Sequence, residues 1–148
     1  MRLLKLFIAA CLLLTACASG PKFSPLAEPS NSQALIYLYR PAKLANATTS
    51  PPLIINGTET INITNGGYTS AYLEPGPFFL ELGFGKPVNP NKKNRIILLA
   101  GRTYYFKINT SITDYNQKRY VRFGIRLMPE SKGLDEIAKT RFIGKLIP

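Results

Sequence analysis

Between Ala34 and Leu127 the chain never runs far without a residue that turns it. Pro41, Asn56-Gly57, Asn65-Gly66-Gly67, Glu74-Pro75-Gly76-Pro77 and Gly101 punctuate short stretches rich in β-branched and aromatic side chains. Proline fixes φ and lacks an N–H, while Gly and Asn tolerate the positive φ that tight turns demand. Stretches this short, bounded in this way, read as strands and leave little room for helices. No period of 20–50 residues recurs, which argues against solenoids and propellers. At 148 residues the chain is long enough for one ordinary domain and too short for two.

The strands can be placed one by one. Ala34 to Arg40 (ALIYLYR) is apolar on both faces, as a central strand is, and Pro41 ends it. Lys43 to Pro51 is a polar loop. Leu53-Ile54-Ile55 and Thr58 to Ile63 flank Asn56-Gly57, a strong hairpin signal, and Tyr68 to Leu73 follows the next turn. Phe78, Leu80, Leu82 and Phe84 alternate with Phe79, Glu81 and Gly83, which predicts a strand with one buried face. Gly85 to Asn94 reads as a loop. Arg95 to Ala100, Thr103 to Asn109 and Lys118 to Leu127 are three further strands, the last two joined by a loop over Thr110 to Gln117.

One helix is expected near the C-terminus, with Ser131 as its N-cap. Leu134, Ile137, Ala138 and Phe142 share a stripe, and Asp135 and Glu136 are placed to meet the N-terminal dipole. The expected fold is therefore mainly β: a small antiparallel β-sandwich of about seven or eight strands with one short C-terminal helix.

The first residues serve as an address. Arg2 and Lys5 precede an apolar run from Leu6 to Leu14 that is too short to span a bilayer, as in a secretory signal. Leu14-Thr15-Ala16-Cys17 resembles the bacterial lipobox. That resemblance implies removal of residues 1–16, a diacylglyceryl group on the Cys17 thiol and acylation of the new amino group. Two other readings stay open. Ala16-Cys17-Ala18 fits ordinary signal peptidase, which would release a soluble protein, and Ile8-Ala9-Ala10-Cys11 mimics a second lipobox. Lipoproteins kept at the inner membrane often carry Asp after the Cys. Ala18 in that position implies the outer membrane, facing the periplasm, with the inner membrane and secretion as alternatives. Ala18 to Gln33 holds three Pro and four Ser and reads, with Cys17, as a lipidated flexible tether reaching roughly 20–25 Å. Residues 34–148 are then the domain.

Composition narrows the chemistry. There are 19 Lys/Arg against 8 Asp/Glu, no His, no Trp and two Cys. Absence of His removes the commonest general base and metal ligand. With Cys11 discarded and Cys17 acylated, no thiol would remain for a disulfide, redox chemistry or catalysis. The acidic residues share no local motif, and no phosphate loop, dinucleotide fingerprint or metal spacing appears. The expectation is a protein that is not an enzyme and uses no cofactor or metal. A hydrolase working without His and Cys is the weaker alternative.

One constellation rises above background. In Lys118 to Leu127, period two sends Val121, Phe123, Ile125 and Leu127 inward and Lys118, Tyr120, Arg122 and Arg126 outward. In the preceding strand Tyr104, Phe106 and Ile108 point inward, Tyr105 and Lys107 outward. If the two strands pair, Tyr105, Lys107, Lys118, Tyr120, Arg122 and Arg126 merge into one basic-aromatic face, with Lys92, Lys93 and Arg95 near its edge. Such a face suits lipid phosphates, an anionic envelope polymer or an acidic envelope protein. Solvated sheet faces are also ordinary places for Lys, Arg and Tyr. A pI of about 9.9 invites nucleic acid, but the exported address argues against it.

Several of these pieces, taken in order, resemble the DUF2846 family, bacterial envelope domains of unknown function often found in lipoproteins. They are Ala34 to Pro41, Leu53 to Gly57, Asn65 to Tyr68, Glu74-Pro75-Gly76, Gly101 to Phe106 and Gly133 to Ile137. Pro77 departs from the pattern, which usually has a basic or small polar residue there. The resemblance carries over no catalytic residue. The function expected is a membrane-anchored, non-catalytic binding or assembly module of the envelope. The alternative is a structural subunit that docks through an edge strand.

Overall fold

The computed structural model describes residues 18–83 and 94–146. The expected signal, Cys11, Cys17, Phe84, Lys92 and Lys93 fall outside that set. The described chain forms β1 (Ala34–Tyr39), β2 (Pro52–Ile55), β3 (Thr58–Asn62), β4 (Gly67–Leu73), β5 (Gly76–Leu82) and β6 (Asn94–Leu98). These are followed by β7 (Thr103–Tyr115), β8 (Lys118–Met128), α1 (Glu130–Ile137) and β9 (Arg141–Phe142). One sheet has the order β8-β7-β1-β4-β9 and the other β3-β2-β5-β6. The mainly β class, the two sheets and the short C-terminal helix match expectation.

Two apolar layers account for the arrangement. Between the sheets lie Ile36, Leu38, Leu53, Ile55, Phe78, Leu80, Phe106 and Ile108. On the far side of the five-stranded sheet, Leu35, Tyr37, Tyr39, Tyr68, Tyr105 and Met128 pack with Ile137 of α1. Strand β1 separates the layers, so all six of its residues are buried, and this is why its sequence is apolar on both faces. At the expected hairpin Asn56 and Gly57 both adopt positive φ, 50° and 88°, as a two-residue turn between twisted strands requires.

The pairing departs from a wholly antiparallel sandwich. β1 is antiparallel to β4 but parallel to β7, and β4 is parallel to β9. Parallel neighbours need a long crossover, and here the chain supplies it by visiting the other sheet through β2, β3, β5 and β6 before returning as β7. Strand periodicity marks strands without stating their partners, and β9, with two residues, is too short to show a period.

Four further expectations are corrected. The loop expected over Thr110 to Gln117 is strand as far as Tyr115, and only Asn116 and Gln117 turn the chain, at φ 49° and 58°. Ser131 is not the N-cap. Pro129 precedes the helix at φ −56°, without a side-chain cap, and Ser131 lies inside its first turn. Asp135 and Glu136 consequently sit in the last turn, away from the N-terminal dipole, and Phe142 belongs to β9.

The stretch from Ala18 to Gln33 is laid along the sheet, where a flexible tether was expected. The Ala18 N–H donates to the Asn65 carbonyl (3.1 Å), and the Phe142 N–H donates to the Pro21 carbonyl (2.9 Å). Lys22 bridges Arg141. The Phe23 ring meets Tyr37 and Tyr68 edge-on at 5.3 and 5.2 Å. Further along, the Leu26 N–H donates to the Tyr37 hydroxyl (2.8 Å) and the Tyr72 hydroxyl to the Ala27 carbonyl (2.7 Å). Pro-rich composition signals a backbone without periodicity, and an extended strip docked by one aromatic ring has none either.

Candidate functional site: a basic hairpin arm

The β7–β8 hairpin pairs in unbroken register from Tyr105↔Met128 to Tyr115↔Lys118. Strand β7 has β1 as a second neighbour only from Thr103 to Lys107. Past that point, among the described residues, each of the two strands pairs only with the other, and beyond the Thr110↔Phe123 pair the described side chains are all exposed. Five residues per strand project there, an arm of roughly 17 Å. In an antiparallel ladder directly paired residues share a face. The register therefore puts Tyr105, Lys107, Arg126, Arg122, Tyr120 and Lys118 on one side, as the alternation predicted.

What covers that face was not predicted. Tyr105 is only 4% exposed, because α1 lies on it. A Cβ on Gly133 would stand 2.5 Å from the Tyr105 Cγ, so glycine is what lets the helix seat this closely. Tyr105 also stacks on Tyr37 at 5.2 Å between centroids, and burial first, then the neighbouring Tyr37, pushes its pKa up to about 12. Lys107 is mostly buried and spent on an ion pair, its Nζ 2.7 Å from Glu136 Oε1. The other oxygen of Glu136 accepts from the Tyr39 hydroxyl at 2.8 Å. Burial alone would raise the Glu136 pKa, but the hydrogen bonds from Lys107 and Tyr39 outweigh it and the net shift is downward. Tyr105 and Lys107 thus leave the accessible face as parts of the helix–sheet joint. Lys118, Tyr120, Arg122 and Arg126 remain exposed on it.

Arg95 belongs to the other sheet, where its guanidinium sits 5.9 Å from the Phe79 ring. It also lines a shallow cleft of about 140 Å³ between the edge strands β6 and β8, with Leu80, Ile96, Phe106, Ile125 and Leu127. That is well below the several hundred Å³ of an ordinary small-molecule site. Among the described residues, Arg95 is the one charged side chain that lines the cleft.

The arm rests on a residue that strand periodicity did not single out. Arg40 follows β1 and is only 1% exposed. Its guanidinium donates to the main-chain carbonyls of Asn46 (2.7 Å), Ile63 (3.3 Å) and Thr49 and lies 5.0 Å from the Phe123 ring at the foot of the arm. Burial lowers its pKa. Each hydrogen bond from a charged donor contributes on the order of 2 kcal/mol, which offsets the cost of burying the cation among carbonyls. Arg40 thereby folds the loop from Pro41 to Ser50 across one end of the sandwich. Lys43 carries this loop on to the arm, its Nζ 3.5 Å from the Thr110 carbonyl. A basic residue at the end of an otherwise apolar run was the one available signal.

Among the described residues, no three His, Cys, Asp or Glu side chains group as metal ligands do, and no helix is long and apolar enough to cross a membrane. A family model described as a protein of unknown function, DUF2846, matches residues 30–123. The chain belongs to that family. The DUF2846 span covers β1, the Arg40 loop and the whole arm, but stops short of α1 and β9, so the Gly133 to Ile137 piece of the resemblance falls outside it. No curated protein and no solved structure matches the chain.

Proposed function

We propose that this DUF2846 protein is a non-catalytic binding module of the bacterial cell envelope. In this reading it is anchored through a lipid on Cys17 to the outer membrane, on the periplasmic side, and binds anionic groups through the hairpin arm. The observation that supports it best is the exposure of Lys118, Tyr120 and Arg122 on one face of an arm that projects past the sheet, with Arg126 exposed on the same face nearer the sheet. Basic residues interleaved with tyrosine attract phosphates and carboxylates, and a projecting ribbon offers them without rearrangement of the domain. Among the described residues, the small cleft is lined by one charged side chain, Arg95, and five apolar ones, and not by the convergent polar groups a catalytic pocket needs.

Charge reversal tests the arm. Arg122→Glu with Arg126→Glu abolishes salt-sensitive retention on anionic vesicles or sacculi; unchanged retention discards the arm as the site. Labelling with a fatty-acid analogue tests the anchor, since Cys17→Ala must lose the label. A second reading, docking of a partner strand on β6, is favoured by that strand's place at the edge of its sheet with Ile97 exposed on it. In-cell crosslinking separates the two by whether adducts map to the arm or to β6.

A further inference from the structure

Three features meet at one end of the sandwich, the end at which β1 finishes in Arg40. The first is the arm, because β7 is parallel to β1 and continues in the same direction past it. The second is the Pro41 to Ser50 loop, which carries Leu44, 99% exposed, beside Lys43. The third is the start of the docked N-terminal segment. Asn65 holds both of the latter together, its carbonyl accepting from the Ala18 N–H (3.1 Å) and its side-chain oxygen from the Lys43 N–H (2.9 Å).

The position of Ala18 matters because Cys17 precedes it. One residue spans about 3.8 Å, so a lipid on Cys17 would leave the domain beside Asn65 and Lys43. A free tether of sixteen residues would let the domain drift about 20–25 Å, beyond the screening length of about 8 Å in physiological salt. The docked segment removes that slack, and Asn65 holds its start next to Lys43.

Besides the acidic Asp114 and neutral polar residues such as Ser111, Thr113, Asn116 and Gln117, three kinds of exposed side chain are gathered there. Lys43, Lys118 and Arg122 are basic; Tyr115 and Tyr120 have an apolar body with a polar tip; Leu44, Ile112 and Val121 are aliphatic. Basic, tyrosyl and aliphatic side chains together make the composition of a surface that lies in a lipid headgroup layer. A carboxylate polymer or an acidic protein would use the cations but would give Leu44, at the tip of a loop beside the anchor, no place to go.

We infer that the Arg40 end is a membrane-contact pole, seated on the anionic headgroups of the bilayer that holds the Cys17 lipid, with Leu44 and the tip of the arm entering the interface. This deepens the anchored reading above and rests on it. Each basic residue held at an anionic surface raises partitioning about fivefold, so the pole supplies a second membrane signal beside the acyl chains.

The chain contains no Trp, so a single introduced indole reports on one place. Full-length protein carrying Leu44→Trp, Tyr120→Trp or Ala100→Trp, the last at the opposite end, is reconstituted into vesicles containing phosphatidylglycerol and bromine-labelled lipid. Quenching at positions 44 and 120 is expected to exceed that at 100 by about threefold or more, and Lys118→Glu with Arg122→Glu is expected to reduce it at 120. Equal quenching at all three positions overturns the membrane pole. If it is equal while retention on sacculi still depends on Arg122, the pole fails and the arm remains a binding site for a polymer. Loss of both, with lipid labelling at Cys17 intact, removes the arm from either role.

Discussion

Glu136 ties helix to sheet with two hydrogen bonds, one from Lys107 and one from Tyr39, and its depressed pKa records their preference for the carboxylate. The consequence for stability has a definite sign. A group whose folded pKa lies below its unfolded value stabilises the fold above the unfolded pKa of about 4.3 and loses that contribution as pH falls through the folded pKa. Thermal melts of the wild type are therefore expected to fall in Tm below about pH 4.5. Glu136→Gln should cost on the order of 1 kcal/mol at neutral pH and flatten that acid limb. A variant with an unaltered acid limb would assign the sensitivity to another carboxylate. Sequence periodicity placed Lys107 on the correct face and still misread its availability. Alternation says which way a side chain points, whereas the helix that claims it arrives 29 residues later in the chain.

At the scale of elements, the strands and the Asn56-Gly57 hairpin were legible because period-two burial and turn residues are local properties. The arm was legible in composition and not in length. Its tip uses Asn116 and Gln117, both at positive φ, and Gln is not a residue whose presence announces such a turn. A loop was expected there because eight exposed residues, Ser111 to Lys118, offer no buried period to follow. The Gln117 conformation is strained relative to glycine. Gln117→Gly is expected to stabilise the hairpin by about 0.5–1 kcal/mol, read as slower amide exchange over residues 111–122 with the sandwich strands unchanged. Faster exchange in the arm would show that the tip owes its shape to the Gln117 side chain instead. The helix is legible to within two residues of its start, Pro129 and not Ser131 preceding it, yet the dipole expectation fails. Pro129 presets the entry, so no Ser or Asp is needed where the pattern sought one.

For the whole molecule, the N-terminal segment is part of the structure, and Phe23 is its main fastening. Phe23→Ala is expected to cost about 2 kcal/mol and to open residues 18–29 to proteolysis, with the two sheets intact by circular dichroism. A segment equally resistant in the variant would mean that the main-chain bonds from Ala18, Phe142 and Leu26 suffice. The order in which these parts meet follows from the two parallel pairings. β1 waits for β7, and β4 waits for β9, whose Arg141 also bridges Lys22 near the other end of the chain. Contacts so distant in sequence cost loop-closure entropy before they return any stability, which slows folding. The five-stranded sheet is therefore completed only when the last strand is available. A chain interrupted between β4 and residue 142 has β4 as an uncovered edge and loses the Phe142 N–H that holds the Pro21 carbonyl of the N-terminal segment. Such a fragment is a substrate for proteases and not a smaller version of the domain.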